Sequence, residues 1–435
     1  MDEFNPAPPV VMHVDINSCF ATIEQQANPA LRGKPVVVAA YVTGNGCILT
    51  ASVEAKRLGI KTGMPVREAR YIYPRLVVLP PDPDKYRAVN KKLTALLSSY
   101  TSYLSVESID EMVLSLADTP ALAKLLAQGS THLDAMKIIA TEMKARVRTE
   151  IGEWITVSVG IAPNRYLAKV ASGLQKPDGL RWITRENIVE TLSSMQLTDL
   201  CGIKEGNASR LHSVGIFSPI ALYQSPSDVL KRGMRSIVGH HWYLRLHGWE
   251  DGARYTSFGN SEQFGAADSA NYEEPKQKSF GQSYALPVAY VPTDPKLWQI
   301  LAQLVMKMAR RLRQDRCSAK GVSVSLLFAD HTHWHAQELL STSLFADSDF
   351  FQHMQRMLMG APDRSVRILA ITCYKLEKDL YNQQSLLMED NRKQNLTVAL
   401  DAVHDRFGAF VVTPARMLAM ERKVLDRIAF GKASL

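Results

Sequence analysis

Val10-Val11-Met12-His13-Val14-Asp15-Ile16-Asn17-Ser18-Cys19-Phe20-Ala21 is the stretch on which the fold turns. The short apolar run from Val10 to Val14 stops at Asp15, the pattern of a buried strand that delivers a carboxylate to its end. A carboxylate in that position is costly to bury unless it is paired or holds a metal. Working outward, a second strand over 35–40 follows the turn-like Leu31-Arg32-Gly33-Lys34. Residues 53–71 read as helix interrupted by Gly59 and by Gly63-Met64-Pro65. A long helical pattern over 84–103 leads into 105–116, where β-branched and apolar residues surround Asp110-Glu111, a hairpin with acids at its turn. A helix over 132–151, a strand over 154–160 and a helix over 164–174 follow, so the first 180 residues read as an α+β domain.

Farther along, 185–248 is a series of short helices with Gly-centred turns, which predicts a small all-α domain. Residues 251–277 are rich in Gly, Ser, Asn and Glu and read as a linker. Strands at 322–328 and 366–374 with helices at 296–315 and 349–358 predict a second α+β domain, and 377–435 reads as a polar tail with helical stretches.

With 435 residues the chain is too long for one ordinary core. No apolar run approaches the roughly 18 to 20 residues of a membrane span, and the start Met1-Asp2-Glu3 lacks a signal-peptide pattern. Cys19, Cys47, Cys201, Cys317 and Cys373 are scattered with no CxxC pair, which argues against a disulfide framework or a cysteine-rich zinc site. A reduced, cytoplasmic protein is expected. The formal net charge of +8 suits a polyanionic partner.

Asp15 and Asp110-Glu111 are the candidates for chemistry. Phosphoryl transfer asks for metals that hold the attacking and leaving oxygens, and magnesium takes hard oxygen ligands from one or two carboxylates plus phosphates. An Asp-Glu pair alone ordinarily sits on a solvated turn. Asp15 directly after an apolar strand is what favours a shared site at one sheet edge.

The residues from His13 to Ala21, followed by Gly33-Lys34-Pro35-Val36-Val37-Val38, resemble the opening of Y-family DNA polymerases. Ser108-Ile109-Asp110-Glu111 is similar to the family's Ser-Ile-Asp-Glu motif. Thr156-Val157-Ser158-Val159-Gly160-Ile161-Ala162, with Asn164, Ala168-Lys169 and Lys176-Pro177-Asp178-Gly179, resembles its third block. The resemblance spans roughly residues 10–376, and several motifs in order weigh far more than any one.

That resemblance implies a right-hand polymerase of α+β multidomain class. The palm would be 1–23 with 80–180, the fingers 24–79, the all-α thumb with a helix-hairpin-helix 181–250, the linker 251–277 and the α+β little finger 278–376, followed by the tail 377–435. It implies two Mg²⁺ ions, with Mn²⁺ able to substitute, held by Asp15, Asp110, Glu111 and the carbonyl of Ile16. Phe20 falls at the steric gate against a ribose 2′-hydroxyl; a plain core aromatic is the alternative. Ser18, Cys19 and Phe20 would offer backbone N–H groups to the triphosphate, with Thr50, Lys56 and Lys176 beside it. The partners implied are primer-template DNA and a deoxynucleotide, with no membrane and a monomeric chain.

There are departures from the family. Val53 and Lys56 stand in Val53-Glu54-Ala55-Lys56 where Tyr-Glu-Ala-Arg is frequent, and Lys56 is a point charge in place of a bidentate fork. Asn17 replaces a frequent Asp, and Cys19 a common aromatic. Changed nucleotide affinity is expected, with the chemistry kept.

For DNA, Leu200-Cys201-Gly202-Ile203-Lys204-Glu205-Gly206 is similar to a helix-hairpin-helix, with Lys204 where a third Gly is usual. An ordinary Gly-capped helix turn is the alternative. Arg310, Arg311 and Arg313 lie in a run of cations from Lys307 to Lys320 offset locally only by Asp315, and Lys278 opens that domain. These read as phosphate contacts, although a cationic helix face is more often simply solvated. His331, His333 and His335 alternate as on an exposed strand face; zinc sites want four ligands. In the tail, Gln383-Gln384-Ser385-Leu386-Leu387 resembles, with two positions changed, the peptide that bacterial polymerases insert into a sliding clamp.

Three other readings compete. A catalytically silent accessory or clamp adaptor would have lost the carboxylates. A palm-domain nucleotide cyclase would leave the thumb hairpin and the basic last domain unexplained. A DNA-binding module without chemistry would need Asp15, Asp110 and Glu111 only for folding.

Overall fold

Period-two alternation along the first strand decides the architecture of the first unit. The computed structural model describes residues 4–251, 278–378, 388–408 and 410–418, and of 388–391 the backbone alone. β1 (Val11–Ile16) lies at the centre of a five-stranded sheet with β5 (Leu104–Val106), β6 (Glu111–Ser115), β7 (Val157–Ala162) and β8 (Leu180–Trp182), in the order β5-β6-β1-β7-β8. Met12, Val14 and Ile16 face one side, where they join Met112, Leu114, Val159 and Ile161 in a core closed by the helices Pro83–Ser98 and His132–Arg146. The alternate residues Val11, His13 and Asp15 face the other side, toward the helix Arg165–Leu174.

That helix begins where the chain makes it begin. Asn164 at its N-cap accepts the N–H of Leu167 at 2.8 Å, so one orphan donor of the first turn is satisfied. Its close seating on β7 requires Gly160: a Cβ there would stand 2.0 Å from the carbonyl oxygen of Ala168. Gly179 is fixed for the same reason, since a Cβ would meet the Gln175 carbonyl oxygen at 1.8 Å.

A second, three-stranded sheet pairs β2 (Val36–Ala39) with β3 (Ile48–Ala51) antiparallel and with β4 (Val77–Leu79) parallel. Val37, Ala39, Ile48, Ala51 and Ala55 make its core. The expected broken helix is two short ones, Val53–Arg57 and Val66–Ile72, separated where Gly59 and Gly63 take positive φ. From Ile188 to Leu246 the chain is short helices, as the glycine-punctuated pattern predicts. Asn5 and Asn164 tie the end of that helical region to the sheet through the carbonyls of Gly248, Arg245 and Trp249.

The second unit contains the described residues from Lys278 onward. Its four-stranded antiparallel sheet runs β11 (His333–Leu344), β10 (Cys317–Phe328), β12 (Val366–Lys378), β9 (Ser279–Tyr290). The helices Pro295–Gln314 and Asp347–Met359 pack on one face. β9 escapes sequence reading and β11 is legible only where its histidines alternate on an exposed face, because both strands alternate between partly buried and exposed without a strong apolar signal.

The separate polar tail expected from residue 377 differs from what is found. β12 continues to Lys378, and the helix Met388–Phe407 packs on the helix Pro295–Gln314 through ion pairs, while Met417 enters the unit's core. The linker expected at 251–277 begins with Asp251, buried against Arg245, and is otherwise outside the described residues; so is the clamp-like peptide 383–387. Among the described residues no helix is long and apolar enough to cross a membrane.

Candidate active site

Strand pairing sets the two acidic motifs side by side. β1 and β6 run antiparallel with Asp15 directly opposite Glu111, and the Ile16 N–H donates to the Asp110 carbonyl at 2.9 Å. Paired residues share a face of the sheet, so Asp15 and Glu111 emerge together beside the turn that carries Asp110. Ser108 anchors that turn: its hydroxyl donates to Asp110 at 2.5 Å and accepts from the N–H of Glu111 at 3.1 Å.

The cluster carries more negative charge than its surroundings comfortably hold. Burial raises the Asp15 carboxyl to about 6; Lys176 pulls the other way, and repulsion from Asp110 and Glu111 adds to the rise. Burial likewise holds Asp110 above the ordinary carboxylate range, against its bond from Ser108 and with repulsion from Glu111. Two lysines compensate. Lys176 Nζ lies 2.7 Å from Asp15 Oδ2, and Lys169 Nζ lies 2.6 Å from Glu111 Oε2. Burial disfavours the charge on Lys169, yet Glu111 holds its pKa above the usual value. Under the same face His13 is kept neutral, its pKa lowered to about 3 by burial and then by Lys169 and Lys176.

This donor set fits hard divalent cations. Three carboxylates that repel one another, two facing across one strand pair, are what a divalent ion relieves, and magnesium needs only one or two protein carboxylates besides substrate oxygens and water. With the lysines on the carboxylates, no group of three side chains among the described residues is arranged to cage an ion by itself.

Above the carboxylates opens a cavity of about 450 Å³. Asp15, Ile16, Ser18, Cys19, Thr50, Lys56, Asp110 and Lys176 all line it, which brings together most of the sequence-predicted metal and nucleotide residues. Ser18 has φ 50°, the left-handed region, and turns the chain from β1 straight into the helix Cys19–Ala27. The first N–H groups of any helix lack an i−4 carbonyl, and here that end borders the cavity. Burial lowers the Lys56 pKa and Lys176 lowers it further, so two ammonium groups repel across the cavity. An anion between them would relieve that repulsion.

Phe20 lies beneath and does not line the cavity. It is buried and stacked on Tyr86 at 4.3 Å between ring centroids, and Tyr86 donates to Glu24 at 3.0 Å. Glu111 is also outside the cavity lining, because its carboxylate turns to Lys169. Arg57 and Thr62 line the cavity, and nothing in the sequence reading singled them out. Asn17 lines it too, and its departure from the family pattern was the available signal.

Of the predicted DNA contacts in the first unit, Gly202 has φ +95° and makes the hairpin turn, with Lys204 at the N-cap of the helix Glu205–His212 and Gly206 inside it, all exposed. In the second unit Lys278 and Arg311 are exposed, Arg311 lying 5.8 Å over the Phe280 ring. Arg313 is different. It donates to Asp401 at 2.6 and 2.8 Å, to Asp347 at 2.8 Å and to the Phe345 carbonyl at 2.8 Å, and Arg310 pairs with Asp405. The run that along the chain is offset only by Asp315 thus has three further aspartates on it, and Arg313 is not a free charge. His331, His333 and His335 are exposed, and His335 bonds Ser325.

The sequence profile of the impB/mucB/samB family matches residues 14–173, and that of the same family's C-terminal domain matches residues 277–386; together they cover more than half of the chain. The chain is 26% identical over 430 residues to DNA polymerase IV 1 of Bacillus subtilis (strain 168), covering 97% of this chain and 96% of that one. It is 28% identical over 418 residues to DNA polymerase IV of Pelotomaculum thermopropionicum, covering 94% and 96%. Among solved structures, a Y-family DNA polymerase chimera of Dbh and Dpo4 shares the fold with a TM-score of 0.66 at 23% identity, over 85% of this chain and 99% of that one. An insertion ternary complex of Dbh DNA polymerase aligns with a TM-score of 0.51 at 22% identity, over 85% and 99%. On these matches the chain belongs to the Y family of DNA polymerases, the lesion-bypass class of template-directed DNA polymerase.

Proposed function

We propose that this polymerase adds deoxynucleotides to a primer 3′-hydroxyl through a site built on Asp15, Asp110 and Glu111, with two divalent ions, Mg²⁺ by preference and Mn²⁺ in its place. The observation that carries the reading is the carboxylate cluster gathered at one sheet edge, where burial above all, with repulsion from Asp110 and Glu111 adding to it, raises Asp15 to about 6. Bound there, the ions would polarise the attacking hydroxyl and steady the leaving oxygens. Asp15 and Asp110 would hold them from the strand end and the turn, joined by the Ile16 carbonyl and by Glu111. Lys176 and Lys56 neutralise the triphosphate, aided by Thr50 and by the N–H groups of Ser18, Cys19 and Phe20 at the helix start. Primer extension with magnesium and all four deoxynucleotides tests it: wild type extends and Asp110→Ala does not. A mutant that extends at the wild-type rate would refute the assignment.

Phe20 acts as the gate against ribonucleotides. The resemblance alone supports that role, because the ring is buried beneath the cavity, stacked on Tyr86, as a plain core aromatic would be. Phe20→Ala should increase ribonucleotide incorporation in a gel assay, and an unchanged ratio would remove Phe20 from that role.

Primer-template DNA meets the backbone of the Gly202–Gly206 hairpin with Lys204, and Lys278 and Arg311 of the second unit. We take the palm, fingers, thumb and little finger at the bounds the resemblance implies, with the little finger carried past 376 because the helix Met388–Phe407 belongs to the same unit. Gln383, Ser385, Leu386 and Leu387 engage a sliding clamp, a reading supported by the sequence pattern alone. Leu386→Ala with Leu387→Ala should abolish stimulation by the clamp. Truncation after Leu376 is not the right test, because it removes Glu377, which pairs with Lys320, and the helix that neutralises Arg313. We take the enzyme to act as a cytoplasmic monomer, consistent with DNA as its partner.

A further inference from the structure

We propose that Asn17 is the positioning residue that sets where the Lys176 ammonium lies in the nucleotide cavity. The inference rests on the reading of Lys176 as a triphosphate ligand given above. Asn17 is buried, follows β1 directly, and sends its side chain toward β7 and the turn beyond the helix Arg165–Leu174.

The orientation of its carboxamide is settled by its partners. The backbone N–H of Asp178 donates to Asn17 Oδ1 at 2.7 Å, and a backbone N–H can only donate. Oδ1 must therefore be the oxygen, and it accepts also from the Thr156 hydroxyl at 3.0 Å. Nδ2 is then the donor, and it meets Ser158 Oγ at 2.8 Å. Ser158 is wholly buried; its oxygen accepts from the Gly179 N–H at 3.3 Å, and its hydroxyl reaches the Gln175 carbonyl at 3.5 Å.

One carboxamide and one hydroxyl thus hold the chain at Gln175, Asp178 and Gly179, on both sides of Lys176. Lys144 and Arg148 hold only the Asp178 side, through its carbonyl and carboxylate. The Val159 N–H at 3.0 Å and Lys144 at 3.3 Å also hold the Gly179 carbonyl, while Asn17 and Ser158 tie the two sides of Lys176 to each other. Lys176 projects from this bracket onto Asp15 at 2.7 Å and lines the same cavity as Lys56. A shift of the turn by a fraction of an ångström moves the ammonium relative to the phosphates it neutralises, and charge placement of that kind changes affinity steeply.

An aspartate at position 17 keeps both acceptor bonds, and Ser158 can turn its hydrogen toward the new oxygen, giving up only its long contact to the Gln175 carbonyl. An alanine keeps none of them. Asn17→Asp is therefore the conservative variant and Asn17→Ala the disruptive one.

The test is a double-mutant cycle on full-length protein bound to primer-template DNA, reading the Kd for the correct deoxynucleotide in single-turnover extension. Asn17→Ala should raise that Kd by about tenfold with the primer-template Kd unchanged, and Asn17→Asp should stay within about threefold of wild type. Combined with Lys176→Ala, Asn17→Ala should add less than about twofold, because a residue acting through the ammonium has nothing left to position. Should Asn17→Ala fail to fold, Ser158→Ala removes the other half of the bracket and carries the same expectation. Full additivity of the two substitutions, or a nucleotide Kd untouched by Asn17→Ala, overturns the inference. If Lys176→Ala itself leaves the nucleotide Kd unchanged, the triphosphate role of Lys176 fails first and takes the inference with it; the two failures are distinguished by that single variant.

Discussion

Two clusters of buried charge, one in each unit, are built on opposite terms. In the first unit Asp15, Asp110 and Glu111 crowd together with two lysines to serve them, and the carboxyl of Asp15 stands at about 6. In the second, Arg313 is fully served: two aspartates and a carbonyl take its donors, and the partner Asp401 comes from the helix Met388–Phe407. Each cluster holds one more carboxylate than cation, so what separates them is geometry. Arg313 makes four hydrogen bonds within the fold, whereas Asp15 and Asp110 line an open cavity where something from outside can reach them. In that cavity burial lowers the Lys56 pKa and Lys176 lowers it further, against the pull of Asp15 and Asp110.

The comparison breaks most plainly under single substitutions. Asp110→Ala should reduce primer extension on the order of 10³-fold or more. The metal-free protein should meanwhile lose no stability, and should melt slightly higher, because a source of repulsion toward Asp15 is gone. A fall in melting temperature would mean that Asp110 also serves the fold. Arg313→Ala should do the reverse. It strands Asp347 and Asp401, and burial already holds the Asp347 carboxyl above its ordinary value in spite of Arg313. A loss of about 3 kcal/mol in urea unfolding of the second unit is expected, with single-nucleotide extension by the folded protein retained. Loss of DNA affinity without loss of stability would restore Arg313 to the DNA contacts.

Acidity sharpens the contrast within the first unit. A proton and a metal compete for the Asp15 oxygens, so metal affinity should be full above about pH 6 and fall about tenfold per unit below it. The linkage for the metal-free fold has the opposite sense. With a folded pKa of about 6 above its ordinary value of 3.8, Asp15 favours the native state most at low pH, and that contribution is lost as pH rises between those values. Calorimetric titration with Mn²⁺ from about pH 5 to 8 measures the first, and unfolding over about pH 4 to 7 the second. The smallest effect belongs to an exposed pair in the second unit: Lys393→Ala, which removes the contact to Asp349 at 3.3 Å, should change stability by less than about 0.5 kcal/mol. A larger cost would show that the helix Met388–Phe407 depends on surface pairing as much as on Arg313.

Much of this is legible in the sequence. The run ending at Asp15 is the central strand, the Ser105–Leu116 hairpin takes its acids to the turn, and Asn164 caps the helix that it precedes. These are local readings, in which residues a few positions apart state the pattern. The edge strand β9 is not legible, and β11 only at its alternating histidines, since a sheet with one face partly open asks little hydrophobicity of its margins. Nor is the extent of the second unit, because Asp401 and Met417 look like any polar or apolar residue of a tail until their partners are known.

By itself the sequence determined which carboxylates, lysines and backbone turns this polymerase has, in what order, and on which face of each strand, because alternation and capping act over a few residues. Only the tertiary structure decided which charge answers which. Lys169 meets Glu111 across 58 positions, Arg313 meets Asp401 across 88, and Asn17 meets Asp178 across 161. Electrostatic energy depends on distance and burial, and neither is written along the chain.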